Sequence, residues 1–109
     1  MTFPAHITVD KIKRVVDCLK RYGPEQIILF GSYARGEADE YSDLDVVVVK
    51  QTEQRFLERL IEAAKCLDND LGKVDVFVYT REEIEEMKRN ENPFIEQVLT
   101  EGIVLYEAL

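Results

Sequence analysis

At 109 residues, with 46% apolar and 33% charged side chains, the sequence has the make-up of one globular domain with a core of its own, which excludes disorder. Its formal charge of -8, from 22 acidic against 14 basic side chains, suits solubility or a basic protein partner and makes direct nucleic-acid binding unexpected, because phosphate neutralisation needs a basic face. No apolar stretch approaches the ~20 residues of a membrane span, and Met1-Thr2-Phe3-Pro4 does not open a signal peptide, so the expectation is a cytoplasmic protein without a membrane partner.

Thr8 can cap a helix whose apolar stripe is Ile12, Val15, Val16, Leu19 and Tyr22, and Gly23-Pro24 stops it. Gln26 to Phe30 is an apolar run of strand length bounded by Gly31. Residues 32–42 are small, polar and charged, and read as a loop or a stub of helix. Asp43 to Val49 is the clearest strand: consecutive valines favour the pleated backbone, and apolar groups on both faces imply a central position. Gln54 to Leu67 carries Phe56, Leu57, Leu60, Ile61, Ala64 and Leu67, which predicts a helix with one broad buried face.

Asp68 to Gly72 breaks that helix, and its missing terminal Glu rules out a calcium loop. Lys73 to Tyr79 is a third strand, with Val74, Val76 and Val78 on one face and Asp75, Phe77 and Tyr79 on the other. Thr80 with Glu83 is a capping box opening a charged helix to about Arg89. Asn92-Pro93 restarts a helix carrying Phe94, Ile95, Val98 and Leu99, closed by Gly102, and Ile103 to Tyr106 is a last edge strand. The order αβ-loop-βαβααβ predicts a single α/β domain over 1–109, a small mixed sheet packed with helices.

Three local features carry chemistry. Gly31-Ser32 ends a strand; glycine allows a sharp turn and close approach of a ligand to the main chain, and the serine hydroxyl with neighbouring amides can cradle phosphate oxygens. Taken alone, such turns usually just reverse the chain. Asp43 and Asp45 are two apart, so the strand period puts both carboxylates on one face, where they repel unless a hard cation such as Mg²⁺ neutralises them; taken alone, such a pair more often has one acid capping a turn and the other facing solvent. Asp75 interrupts a core-forming segment, as an acid does at a solvated strand end or in a functional cleft.

Topology joins the three. The strand ending at Gly31 can pair antiparallel with the one beginning at Asp43, and the helical crossover from the second strand to the third implies a parallel pair. Ser32, Asp43, Asp45 and Asp75 are thereby expected around one cleft mouth. Gly31 to Gly36 also begins like a P-loop, but Glu37-Ala38 stands where the lysine and hydroxyl are required. Cys18 and Cys66 have no metal or redox spacing and read as buried free thiols, and His6 is the only histidine, which leaves no triad. Tyr33 and Tyr41, in the motif loop, read as solvent-facing residues that could reach a nucleotide base, and the run Glu82 to Glu86 as a solvated helix face.

The stretch from Gly31 to Asp45 resembles the nucleotidyltransferase signature of the DNA polymerase β superfamily: Gly-Ser, ten residues, then Asp-x-Asp, with Ser42 before the first acid. The likeness is greatest to the minimal nucleotidyltransferases and covers most of the chain, from about Ile27 to Leu105. That resemblance implies the polymerase β-like fold and an enzyme. It implies Gly31 and Ser32 on the β- and γ-phosphates of ATP, Arg35 assisting them, Asp43 and Asp45 holding one or two Mg²⁺ ions, and Asp75 sharing a metal and activating the attacking hydroxyl.

It further implies pairing with a HEPN-type helical toxin, in a homo- or hetero-oligomer, as an antitoxin that transfers AMP to a toxin tyrosine. Two other readings stand beside it: a binding module that neutralises such a toxin by contact alone, and transfer to a small molecule. The second would call for another substrate-binding domain.

Overall fold

The strands Gln26–Phe30, Leu44–Val49 and Val74–Tyr79 alternate between two apolar layers, and that alternation places the site. The computed structural model describes residues 5–39 and 41–109. The elements are α1 (Ala5–Lys20), β1 (Gln26–Phe30), α2 (Ser32–Arg35), β2 (Leu44–Val49), α3 (Phe56–Lys65), a 3-10 turn at Asn69–Leu71, β3 (Val74–Tyr79), α4 (Arg81–Arg89), α5 (Pro93–Glu101) and β4 (Ile103–Glu107). Sheet order is β3-β2-β1-β4, with β2 and β3 parallel and both other pairs antiparallel. This is the mixed α/β architecture the sequence predicts, with β4 as an edge strand.

Ile27 and Leu29 of β1, with Leu44, Val46 and Val48 of β2, pack beneath Val15 and Leu19 of α1. The alternate residues Ile28, Phe30, Val47 and Val49 meet Ile84 of α4 and Ile95 and Val98 of α5. β2 is therefore covered on both faces, as its run of valines requires. Helix α1 starts at Ala5, so Thr8 lies inside it and is not its cap; His6 and Ile7 carry nothing that breaks a helix. Cys18 is buried, Cys66 is half-buried, and both thiols are free.

The broad buried face expected of α3 is not there. Phe56, Leu57 and Ile61 are exposed, and the side chains α3 buries are Arg59 and Ala63. The reason is position: α3 packs against β3, the outermost strand, so only a narrow strip of it is covered.

Arg59 uses that strip. It donates to Glu83 Oε1 at 2.6 Å, to the Gln54 carbonyl at 2.8 Å and to the Val78 carbonyl at 3.3 Å. Glu83 also closes the predicted capping box, accepting from the Thr80 amide at 2.7 Å while its own amide donates to the Thr80 hydroxyl. Burial pushes the Glu83 carboxyl up, but the Arg59 and Thr80 hydrogen bonds outweigh it and hold it below its usual value. Glu83→Ala is expected to cost roughly 2 kcal/mol, since it strips a buried guanidinium of its counterion and opens the cap. Urea unfolding at pH 7 measures this. The depressed acid also means that the wild-type advantage is present above the ordinary carboxylate pKa and is lost as pH falls through the lower folded value.

Candidate active site

Asp45 and Asp75 are direct partners in the parallel β2–β3 register, and Phe30 lies opposite Asp45 on the antiparallel side. In-register partners share a face, so the two carboxylates stand side by side on the α4–α5 side of the sheet. Next to them on that side lies an aromatic floor: the Phe30 and Phe94 rings meet edge-on at 5.4 Å, and the Phe77 and Phe94 rings sit 5.3 Å apart. Sequence reading alone did not foresee this floor, although Phe77 two residues after Asp75 was a signal for it.

That environment acts on Asp45, whose pKa rises to about 6. Burial is the main cause, followed by a hydrogen bond to Asp75 and by the charges of Asp75 and Asp43; Arg35 pulls the other way. Asp45 therefore holds a proton up to about pH 6, and above that its charge stands beside the Asp75 carboxylate.

Gly31 adopts a backbone with φ 76° and ψ -155°, open to little but glycine. A β-carbon there would overlap Oδ2 of Asp45. The Gly31-Ser32 turn and the Asp45 carboxylate are therefore in contact, at the same rim of the sheet. Ser32 opens the one-turn helix α2, which Gly36 closes in a left-handed conformation with φ 74°.

Asp43 sits just ahead of β2. It is within electrostatic reach of Asp45 and of Lys11, and among the described residues it pairs with Lys73, whose Nζ lies 3.9 Å from Oδ2. Sequence reading missed Lys73, yet the parallel register that aligns residue 45 with 75 also brings residue 73 beside 43. Among the described residues, no three His, Cys, Asp or Glu side chains are gathered so as to hold a metal ion as they stand.

The donor set nevertheless suits Mg²⁺. Asp45 and Asp75 are hard oxygen donors crowded into a like-charge conflict that a cation relieves, and Mg²⁺ is commonly bound by one or two carboxylates plus substrate phosphates. The Asp43–Lys73 contact is solvent-exposed and worth ~0–1 kcal/mol, so it restrains Asp43 little.

Arg35, at the end of α2, donates to Glu37 Oε2 at 3.1 Å and to Glu101 Oε2 at 3.3 Å. Tyr33 is buried in the α1 layer, with Lys11 Nζ 5.5 Å from its ring centroid, so the solvent-facing role expected of it is corrected. It points inward because its place in α2 turns it toward the core. Tyr41 is 85% exposed.

The sequence profile of the nucleotidyltransferase domain family matches residues 12–105. The chain belongs to that family. This nucleotidyltransferase is 38% identical over 98 residues to a protein of Methanocaldococcus jannaschii named "Putative protein adenylyltransferase", covering 87% of this chain and 94% of the relative. It is 37% identical over 78 residues to the protein adenylyltransferase MntA of Thermococcus cleftensis, covering 66% and 78% of the two chains. Its fold is shared with a solved toxin–antitoxin structure containing AMP-PNP, at a TM-score of 0.58 and 24% identity over 89% of this chain and 73% of that one.

Proposed function

We propose that this nucleotidyltransferase is Mg²⁺-dependent and transfers AMP from ATP to a protein hydroxyl, the tyrosine of a HEPN-type toxin, and so acts as an antitoxin. The observation that carries this reading is the Asp45–Asp75 pair in register on parallel strands and in contact with the Gly31-Ser32 turn. The names of the relatives and the nucleotide analogue in the related toxin–antitoxin structure favour adenylyl transfer and a toxin partner.

In this reading Gly31 and Ser32 hold the β- and γ-phosphates, and Arg35 turns from Glu37 and Glu101 to assist them. Asp43, Asp45 and Asp75 are the metal ligands. A bound Mg²⁺ supplies charge stabilisation of entering and leaving oxygens. Asp75, exposed at the sheet rim, accepts the acceptor hydroxyl's proton. The new bond forms between the tyrosine oxygen and the α-phosphorus as the bond to pyrophosphate breaks.

A second reading, neutralisation by binding alone, draws on the fact that among the described residues no three acids are gathered closely enough to hold a metal ion as they stand. One experiment separates the two. The protein is incubated with a HEPN-type partner, Mg²⁺ and ATP labelled at the α-phosphate, and label on the partner is measured. Label that disappears in Asp43→Asn/Asp45→Asn supports transfer. Absence of label with wild type, together with toxin neutralisation that survives in the double variant, overturns it.

A further inference from the structure

β3 lies at the edge of the sheet, with β2 on one side only. The Lys73 and Tyr79 carbonyls accept from the Leu44 and Lys50 amides at 3.1 and 3.0 Å, so the odd-numbered peptide groups face β2. Adjacent residues of a strand face opposite edges, so Val74, Val76 and Val78 turn their backbone groups outward. Arg59 covers the Val78 carbonyl. Among the described residues, no backbone group outside the sheet bonds to Val74 or Val76. The half of the edge next to Asp75 is therefore an open template, of a kind that proteins usually blunt.

A groove of about 290 Å³ follows that open half. Leu60, Ala64 and Leu67 from the α3 side form one wall, and the strand contributes Val74 and Val76 from one face and Asp75 and Phe77 from the other. A cavity lined by both faces of a strand runs along its edge. The volume lies just below the ~300–1,000 Å³ of small-molecule pockets and suits side chains of an added strand better than a compact ligand. Leu57 and Ile61, 68% and 49% exposed, extend the apolar wall along α3.

We propose that the acceptor polypeptide docks here as an extended strand added to the free edge of β3, which brings its tyrosine to Asp75; the inference rests on the adenylyl-transfer reading above. The residue opposite Asp75 has its side chain on the Asp75 face, where the hydroxyl is to react. Its two neighbours face α3 and fill the groove over Leu60 and Ala64, so the segment reads apolar-Tyr-apolar. Flanking basic residues complement a chain of net charge -8 whose nearby rim holds Asp43, Asp45 and Asp75. Main-chain pairing supplies affinity and the groove supplies selectivity. The reaction balances as before: the tyrosine oxygen gains the α-phosphorus, pyrophosphate leaves, and the proton passes to Asp75.

The test uses the peptide acetyl-Lys-Lys-Val-Tyr-Val-Lys-Lys-amide, the same peptide N-methylated on its three central amides, and N-acetyltyrosinamide. Hydrogen exchange at the Val76 amide is expected to slow by at least about tenfold with the first peptide and not with the methylated one. With ATP and Mg²⁺, the first peptide is expected to exceed N-acetyltyrosinamide in kcat/KM by at least about tenfold, through KM. Ala64→Arg, at an exposed position, is expected to remove that excess. No protection of the edge, with equal kcat/KM for all three acceptors, overturns the docking proposal and leaves adenylyl transfer standing. Edge protection without transfer to any acceptor keeps the docking site and overturns the transfer reading.

Discussion

Asp45→Asn is expected to raise thermal stability at neutral pH while it abolishes nucleotidyl transfer. The wild-type carboxyl, with a pKa of about 6, must ionise at pH 7.5 beside Asp75 and in a half-buried place. Its folded pKa lies above the ordinary ~3.9, so the native state holds the proton more tightly than the unfolded chain, and wild-type stability falls as pH rises from about 4 to about 6. Asparagine never ionises and escapes that loss. Discounted for partial exposure, the gain is roughly 1–2 kcal/mol at pH 7.5, about 5 °C in Tm for a domain of this size. It should vanish near pH 4, where the wild type carries its own proton.

Millimolar Mg²⁺ should raise the Tm of wild type and leave the variant almost unchanged. Apparent Mg²⁺ affinity of the wild type should fall about tenfold per pH unit below 6, as the ion competes with one proton. On the proposed function, transfer should drop by about 10³ or more, since ~4 kcal/mol of charge stabilisation is lost with the proposed metal ligand. Calorimetry across pH together with single-turnover transfer checks all of this. A variant less stable than wild type at pH 7.5, or one that retains transfer, would show that Asp45 is a structural acid.

The fold was legible because its signals are local. The valines of β2, the capping box at Thr80 and the restart at Asn92-Pro93 each act within a few residues, and the structure keeps all three. The antiparallel and parallel pairings followed from loop and crossover lengths, and these bring residues 31, 45 and 75 to one rim. What escaped the sequence depends on which surface an element meets. The apolar stripe of α3 looks like any buried helix face, and only the edge position of β3 leaves it half-exposed. Arg59 within it gave no sign that it would be buried against Val78 and Glu83. Tyr33 looked like a loop residue because one turn of helix is too short to show periodicity, yet that turn drives its ring into the core. The Arg35–Glu101 bridge joins residues 66 apart and left no local trace.

Gly31→Ala is expected to damage both stability and transfer, and its cost can be divided. Alanine at φ 76° and ψ -155° strains the backbone by ~1–3 kcal/mol. Its methyl also strikes Oδ2 of Asp45, so either the turn or the carboxylate must shift. Together these should lower stability by about 3 kcal/mol, and Tm by more than about 10 °C. In an Asp45→Ala background the carboxylate is gone and only backbone strain remains, so the same substitution should cost at least ~1 kcal/mol less. That difference measures the contact between the Gly31-Ser32 turn and the Asp45 carboxylate, on which the proposed joint binding of phosphates and metal depends. Equal costs in the two backgrounds would mean that turn and carboxylate do not touch in solution, and the geometry that unites the nucleotide cradle with the acidic pair would be lost.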